Sequence, residues 1–207
     1  MRHDLGQMAT GRTLREKKRD QVRTHLEDTA AELFKAKGFD ETTVAEIAAA
    51  AEVSPRTFFR YFPTKEDIIF GEAASALVAL RSYLRQAPRQ VSDYEALKGA
   101  LIEFGQLLQG QKSRTLTAIQ LMAVSPALAA KRGDVIGKWL QELAQELSDR
   151  PGRSRSRLRI RLLVSTAFGA FLAGIDEWRL EGGKRSLPLL LQRSFDSLEQ
   201  EVLQERP

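Results

Sequence analysis

At 207 residues, with 43% hydrophobic and 29% charged side chains, the chain has the proportions of an ordinary folded protein and the length for one large domain or a small one followed by a medium one. A formal net charge of +5 and a pI near 9.6 suit a polyanionic partner without proving one. Cysteine is absent, which excludes a disulfide framework, a thiol nucleophile and thiolate metal sites, and is compatible with a reducing cytoplasmic setting.

Met1 to Thr10 lacks the apolar stretch of a secretory leader. From Thr13 to Lys37, Val22, Leu26, Ala30, Leu33 and Phe34 recur on one face of a helix. Gly38 ends it, supplying a left-handed cap. Thr43-Val-Ala-Glu46 reads as a capping box, in which the hydroxyl takes a free backbone N–H and the glutamate reaches back to the cap residue. The helix it opens is brief, to about Ala50. Ser54-Pro55 starts a third, since proline at the first helical position sacrifices no hydrogen bond. Pro63-Thr64 stops that helix and caps the next, which is expected to run to about Gln86, ahead of Pro88.

Further along, Ser92-Asp-Tyr-Glu95 opens a helix to about Gly110, and Gln111 to Val124 forms another. Ser125-Pro126 restarts the chain into a helix through Ser148. After Pro151-Gly152 an arginine-rich turn leads to a long helix ending at Gly182-Gly183, and a last helix covers Pro188 to Gln204. The most apolar window, Leu162 to Ile175, lies between Arg161 and Asp176 and falls short of the ~20 residues a membrane crossing needs; no membrane partner is expected. The fold is expected to be all-α, with about nine helices and no internal repeat.

The first three helices predict a compact head, with Phe34, Phe39, Val44, Ile47, Val53, Phe58 and Phe62 as its shared core. The third helix is too short to bury everything it carries, so several of Ser54, Arg56, Thr57, Phe59, Arg60 and Tyr61 must face outward. Two short helices joined by a tight turn, the second offering cationic and polar tips, are the means by which many proteins read a DNA major groove. In that setting Arg56 suits the acceptor pair of a guanine edge, and Thr57 suits a thymine methyl or a phosphate. Tyr61 and Lys65 suit the phosphate backbone, which positions a protein without reading sequence. Thr43 stands where a helix start meets a phosphate, although capping alone accounts for it. Arg12 and Arg15 lead a basic run that either follows the phosphates as an arm or forms a solvated face.

The stretches Phe39-Asp-Glu-Thr-Thr-Val-Ala-Glu-Ile47 and Ser54-Pro-Arg-Thr-Phe-Phe-Arg-Tyr-Phe-Pro-Thr-Lys-Glu-Asp67 strongly resemble the TetR family of bacterial transcriptional regulators. The resemblance implies a homeodomain-like DNA-binding domain over residues 13–70, with its helix-turn-helix at 43–62. It also implies a helical ligand-binding and dimerisation domain over 71–207. Phe59 departs from the pattern, which usually has a phosphate-binding tyrosine there; its ring is expected against the sugar-phosphate edge, with Tyr61 left to make the polar contact.

The resemblance implies a ligand-responsive repressor that binds a palindromic double-stranded DNA operator as a homodimer and is released by a small apolar or acyl-type effector. Between Leu162 and Trp178 apolar residues lie on more than one side, and Gly169, Ala170, Ala173 and Gly174 permit close helix approach. The last helix, with Leu189, Leu190, Phe195, Leu198 and Val202, completes a symmetric four-helix interface through the last two helices. Phe104, Leu107, Met122, Trp139, Phe168, Phe171 and Trp178 are the candidate walls of an effector pocket, although side chains of this kind are more often ordinary core. The Phe58-Phe-Arg-Tyr-Phe-Pro63 version of the head and the helix bearing Trp178 are similar to a branch of the family associated with acyl-CoA-like ligands. Arginines at 150, 153, 155, 157, 159 and 161 either meet the phosphates of such a ligand or form a solvated loop and helix start.

An activator or ligand-independent regulator is the alternative within the same fold, and a helical acyl or lipid carrier the alternative outside it. A catalytic role is not expected. His3 and His25 are the only histidines, and the chain carries no phosphate-binding loop, dinucleotide fingerprint or metal-ligand spacing, so neither cofactor nor metal is implied.

Overall fold

The computed structural model describes residues 13–71, 73–150 and 156–203, and every regular element among them is helical. In chain order these are α1 (Leu14–Lys37), α2 (Val44–Ala50), α3 (Pro55–Tyr61), α4 (Asp67–Phe70), α5 (Ala73–Gln86), α6 (Asp93–Gly110), α7 (Lys112–Val124), α8 (Pro126–Ser148), α9 (Arg157–Leu180) and α10 (Leu187–Leu198). A π turn, Glu199–Leu203, follows α10. The chain divides into two compact units, between Ile68 and Ile69.

The all-α architecture is the expected one, and two elements differ in detail. The single helix anticipated from Thr64 to Gln86 is two, a one-turn α4 and then α5, parted at Gly71, which lies in a turn. Glycine weakens a helix by about 1 kcal/mol relative to alanine, and Thr64 starts α4 by donating its N–H and hydroxyl to Asp67 at 3.0 and 2.9 Å. The last helix keeps α-type bonding to Leu198 and goes on as a π turn to Leu203; its expected end at Gln204 lies outside the described residues.

In the first unit, α1 contributes Leu26, Ala30 and Phe34, α2 contributes Ile47 and Ala48, and α3 contributes Phe58; with Phe39, Ala51 and Phe62 they form the buried core. The rings of Phe34 and Phe39 lie 5.0 Å apart, and those of Phe58 and Phe62 5.7 Å. Val44 and Val53, expected in that core, are half-buried at its margin. Burying an aromatic or large aliphatic side chain stabilises by roughly 1.5–3 kcal/mol, which is how helices as short as α2 and α3 are held against α1.

The second unit is a bundle of α5 to α10. Leu77, Leu80 and Leu84 of α5, Leu97 and Leu101 of α6, Leu143 and Leu147 of α8, Val164 and Phe168 of α9 and Leu191 and Phe195 of α10 share one core. Leu191 is where α10 locks in. A side-chain carbon on Gly105 of α6 would meet its Cδ1 at 2.2 Å, and one on Gly174 of α9 would meet its Cδ2 at 2.8 Å. Buried charge in this unit is paired. Glu146 of α8 accepts from Arg81 Nε and Arg85 Nη1 of α5, both at 2.9 Å, while Arg81 Nη1 also reaches Glu142 at 2.6 Å.

Candidate nucleic-acid interface

The helix-turn-helix is built by caps. Thr43 Oγ1 accepts from the Glu46 N–H at 3.2 Å, and Glu46 Oε2 accepts from the Thr43 N–H at 2.8 Å and its hydroxyl at 2.7 Å. The Lys37 ammonium pairs with the other oxygen of Glu46. That lysine bond, followed by those from Thr43, holds the Glu46 carboxyl down to about 2. Ser54 Oγ accepts from the Thr57 N–H at 3.1 Å with Pro55 at the first helical position, as the sequence predicts.

Between them Ala51 N–H donates to Ile47 O at 3.0 Å and Val53 N–H to Ala48 O at 2.9 Å, and Glu52 adopts a left-handed backbone, φ 54°. This is the αL stop of a Schellman motif with glutamate where glycine would be unstrained. Nothing in the sequence signals it, because Glu is a good helix former.

What α3 turns inward is Phe58, followed by its cap residue Phe62. What it turns outward is Arg56, Phe59 and Arg60, spaced i, i+3 and i+4 and therefore on one face. Arg56 is exposed and meets no hydrogen-bond or ion-pair partner among the described residues, and the Arg60 guanidinium rests 5.2 Å from the centre of the Tyr61 ring. Phe59 is 52% exposed, a large apolar ring left in water and supported from below by the edge of Phe58 at 5.5 Å. Thr57 is half-buried, its hydroxyl 3.0 Å from that of Ser54, and Tyr61 is half-buried beside it.

Three of the remaining candidates sit differently from one another. Arg15 lies on the exposed, basic first turns of α1 with Lys17, Lys18 and Arg19, whereas Arg12 is outside the described residues. Lys65, expected to face a phosphate, instead donates from Nζ to the carbonyl oxygens of Phe39 at 2.8 Å, Thr42 at 2.9 Å and Asp40 at 3.3 Å. Thr42, which no sequence signal singled out, is fully buried and donates its hydroxyl to Gly38 O at 2.7 Å.

The effector-pocket candidates divide as well. Phe104, Trp139, Phe168 and Phe171 come together from α6, α8 and α9, with ring centres at 5.3 Å (Phe104–Trp139), 5.7 Å (Phe104–Phe171), 6.1 Å (Trp139–Phe168) and 5.5 Å (Phe168–Phe171). Trp178 is buried in the same core but makes no ring contact to them among the described residues, and its indole N–H donates to Arg185 O at 3.0 Å. Met122 is half-buried, and Leu107, expected as a wall, stands 54% exposed on α6. An open cleft of about 530 Å³ elsewhere in this unit, between α5 and α6, is lined by Tyr83, Gln86, Val91 and Glu95 among others and by none of the seven. In the arginine run, Arg150 is structural: it pairs with buried Asp93 at 3.4 Å and donates to Pro88 O at 3.1 Å. Arg153 and Arg155 lie outside the described residues, and Arg157, Arg159 and Arg161 are exposed on the first turns of α9.

Comparison with known proteins covers both units. Residues 26–70 match the pattern of bacterial regulatory proteins of the tetR family, and residues 91–203 match that of the MftR C-terminal domain. A Mycobacterium tuberculosis protein named as the mycofactocin biosynthesis transcriptional regulator MftR is 28% identical over 83% of this chain and 86% of its own. The fatty acid degradation regulator FadR of Bacillus halodurans superposes with a TM-score of 0.66 at 22% identity, over 89% of this chain and 97% of that one. Thermus thermophilus FadR, a repressor solved in complex with lauroyl-CoA, gives a TM-score of 0.52 at 28% identity, over 89% and 97% of the two chains.

Proposed function

Because the chain belongs to the TetR family of bacterial transcriptional regulators, we propose that it acts as a dimeric repressor that grips a palindromic operator and releases it when an apolar, acyl-type effector binds. The observation that carries this is the outward face of α3. A helix start capped from within leaves Arg56 without a partner and Phe59 without cover, both facing away from the core. Arg56 reads a guanine edge. Arg60, Thr57 and Tyr61 add base and phosphate contacts, Phe59 packs on the sugar edge, and the α1 cations from Arg15 onward follow the backbone.

Two copies follow from geometry and from α9. One recognition helix reads a single short half-site, and two set ~34–36 Å apart read a palindrome. On α9, Leu158 and Leu162 are 67% and 58% exposed, Gly169 is open to approach, and Leu189 of α10 is 66% exposed. A second copy covers such a face symmetrically. Leu190 and Phe195, expected to share in that interface, are committed to the core, and Gly174 serves α10 of the same chain.

An acyl-type effector is supported by the aromatic cluster of Phe104, Trp139, Phe168 and Phe171, and by the likeness to a regulator solved with lauroyl-CoA. By preferring one arrangement of the second unit, the effector shifts the population away from the DNA-competent state. The test uses genomic fragments selected by the purified protein. Arg56→Ala with Tyr61→Ala is expected to abolish binding to them with the dimer intact by sedimentation, and acyl-CoA thioesters of graded length are expected to release the wild type. Retained binding by the double variant would overturn the DNA assignment, and fragments left bound by every thioester would overturn the effector.

A further inference from the structure

We propose that Lys65 is a positioning residue for DNA recognition: its ammonium holds the loop before α2 against the segment that leaves α3, and thereby fixes the aim of the Arg56 face without touching DNA itself. This rests on the DNA-binding reading of the same head. Lysine offers three N–H donors and no acceptor. Here all three are matched by carbonyl oxygens, those of Phe39, Thr42 and Asp40, and the charge lies 4.3 Å from the centre of the Phe39 ring. The arrangement is an oxygen cradle with an aromatic floor, and it is filled by the protein's own cation.

The ends of this tie make it functional rather than merely cohesive. At one end, residues 38–43 close α1 at Gly38 and open α2 at the Thr43 cap, and Thr42 is fixed from inside by its own bond to Gly38 O. At the other, Lys65 follows Phe62, the buried cap residue of α3. The contact spans 26 residues of sequence and brackets both helices of the motif, so it adds to the shared core a polar restraint on the splay of α3 against the start of α2. A side chain whose donors are satisfied in this way has none left for a phosphate, and moving it out would strip the part-buried carbonyls of Phe39 and Thr42 of their partner.

Lys65→Met keeps the length and removes the ammonium. In the full chain it is expected to lower affinity for a selected genomic duplex by about tenfold, as loss of a charge-assisted bond allows. Affinity for a random-sequence duplex, and the slope of affinity against salt, are expected to be unchanged, because no phosphate contact is lost. Amide exchange from Thr42 to Glu46 in the free protein is expected to quicken about tenfold, since this segment loses its anchor. A salt slope shallower by about one, with exchange unchanged, would make Lys65 a phosphate ligand and overturn the proposal; so would unchanged affinity for the selected duplex. Should Lys65→Met fail to fold, Phe39→Leu removes the aromatic floor together with the Phe34–Phe39 ring contact, and Phe34→Leu, which loses that ring contact and keeps the floor, is its control. Phe39→Leu is expected to give the same pattern at smaller amplitude and Phe34→Leu is not; equal effects of the two, or wild-type affinity and exchange in Phe39→Leu, would overturn the proposal. Arg56→Ala, run alongside, separates the two claims: wild-type binding by that variant defeats the DNA reading while the exchange data still report on the tie.

Discussion

Both units cap their helices locally, but their ion pairs differ in reach: among the described residues those of the first span four and nine residues, Arg23 with Glu27 and Lys37 with Glu46. In the first, caps reach three residues along the chain, as from Thr43 to Glu46 and Ser54 to Thr57. In the second, charges find partners far away in sequence: Arg81 with Glu146 across 65 residues, and Lys98 with Glu199 across 101. Local caps leave the outward face of α3 uncommitted, whereas long-range pairs hold the second unit's helices to one another. A surface meant to meet a partner is served by the first arrangement, and a bundle that must hold specific helices together by the second.

The largest effect expected from this contrast comes from core truncation. Phe58→Ala in the first unit and Trp178→Ala in the second should each destabilise by about 3–5 kcal/mol, the usual range for deleting a buried aromatic. Calorimetry then tells whether the units melt separately; a shift of one and the same transition by both variants would erase the distinction drawn here. Next is Glu146→Gln, which leaves Arg81 and Arg85 sharing a neutral amide. Both arginines keep access to water, so the loss is expected near 2 kcal/mol rather than the full cost of an orphaned buried charge, read by urea denaturation.

Smaller, and opposite in sign, is Glu52→Gly. Releasing a left-handed non-glycine residue should stabilise the first unit by about 1 kcal/mol, and Gly38→Ala, at φ 87°, should destabilise it by a similar amount. Thermal unfolding of the two variants in parallel checks both signs.

The smallest effect is electrostatic. The Glu46 carboxyl is held well below the ordinary carboxylate value, so its contribution is complete above about 4.5 and is lost as pH falls toward about 2. In Glu46→Gln that part of the acid-side decline should flatten, and added salt should mimic the change because the pair is exposed.

What was legible in the sequence follows reach along the chain rather than membership of a unit. Capping boxes, proline starts and glycine stops are written within four residues, so α2, α3, α6 and α8 have the ends expected of them. The outward set on α3 follows from helix length and spacing. Two positions differ from what local pattern alone leads one to expect: the ammonium of Lys65 is taken up by the 39–42 loop, a segment far from it in sequence, and Leu107 faces solvent. Trp178 was grouped with the other aromatics by residue type, yet its place is fixed by the Gly182-Gly183 turn, which brings Arg185 O to the indole. The ion pairs of Glu146 join helices α5 and α8 and leave no local trace at all.

The distribution of tryptophan has a practical corollary. The chain has two, and both belong to the second unit: Trp139 within the ring cluster and Trp178 buried in the same core with its indole N–H bonded to Arg185 O. Tryptophan emission, excited on the red side of the tyrosine band so that Tyr61 of the head stays silent, therefore originates in the bundle. A titrant that alters the colour of that emission is acting on the bundle, and Trp139→Phe and Trp178→Phe tell which of the two lamps it dims.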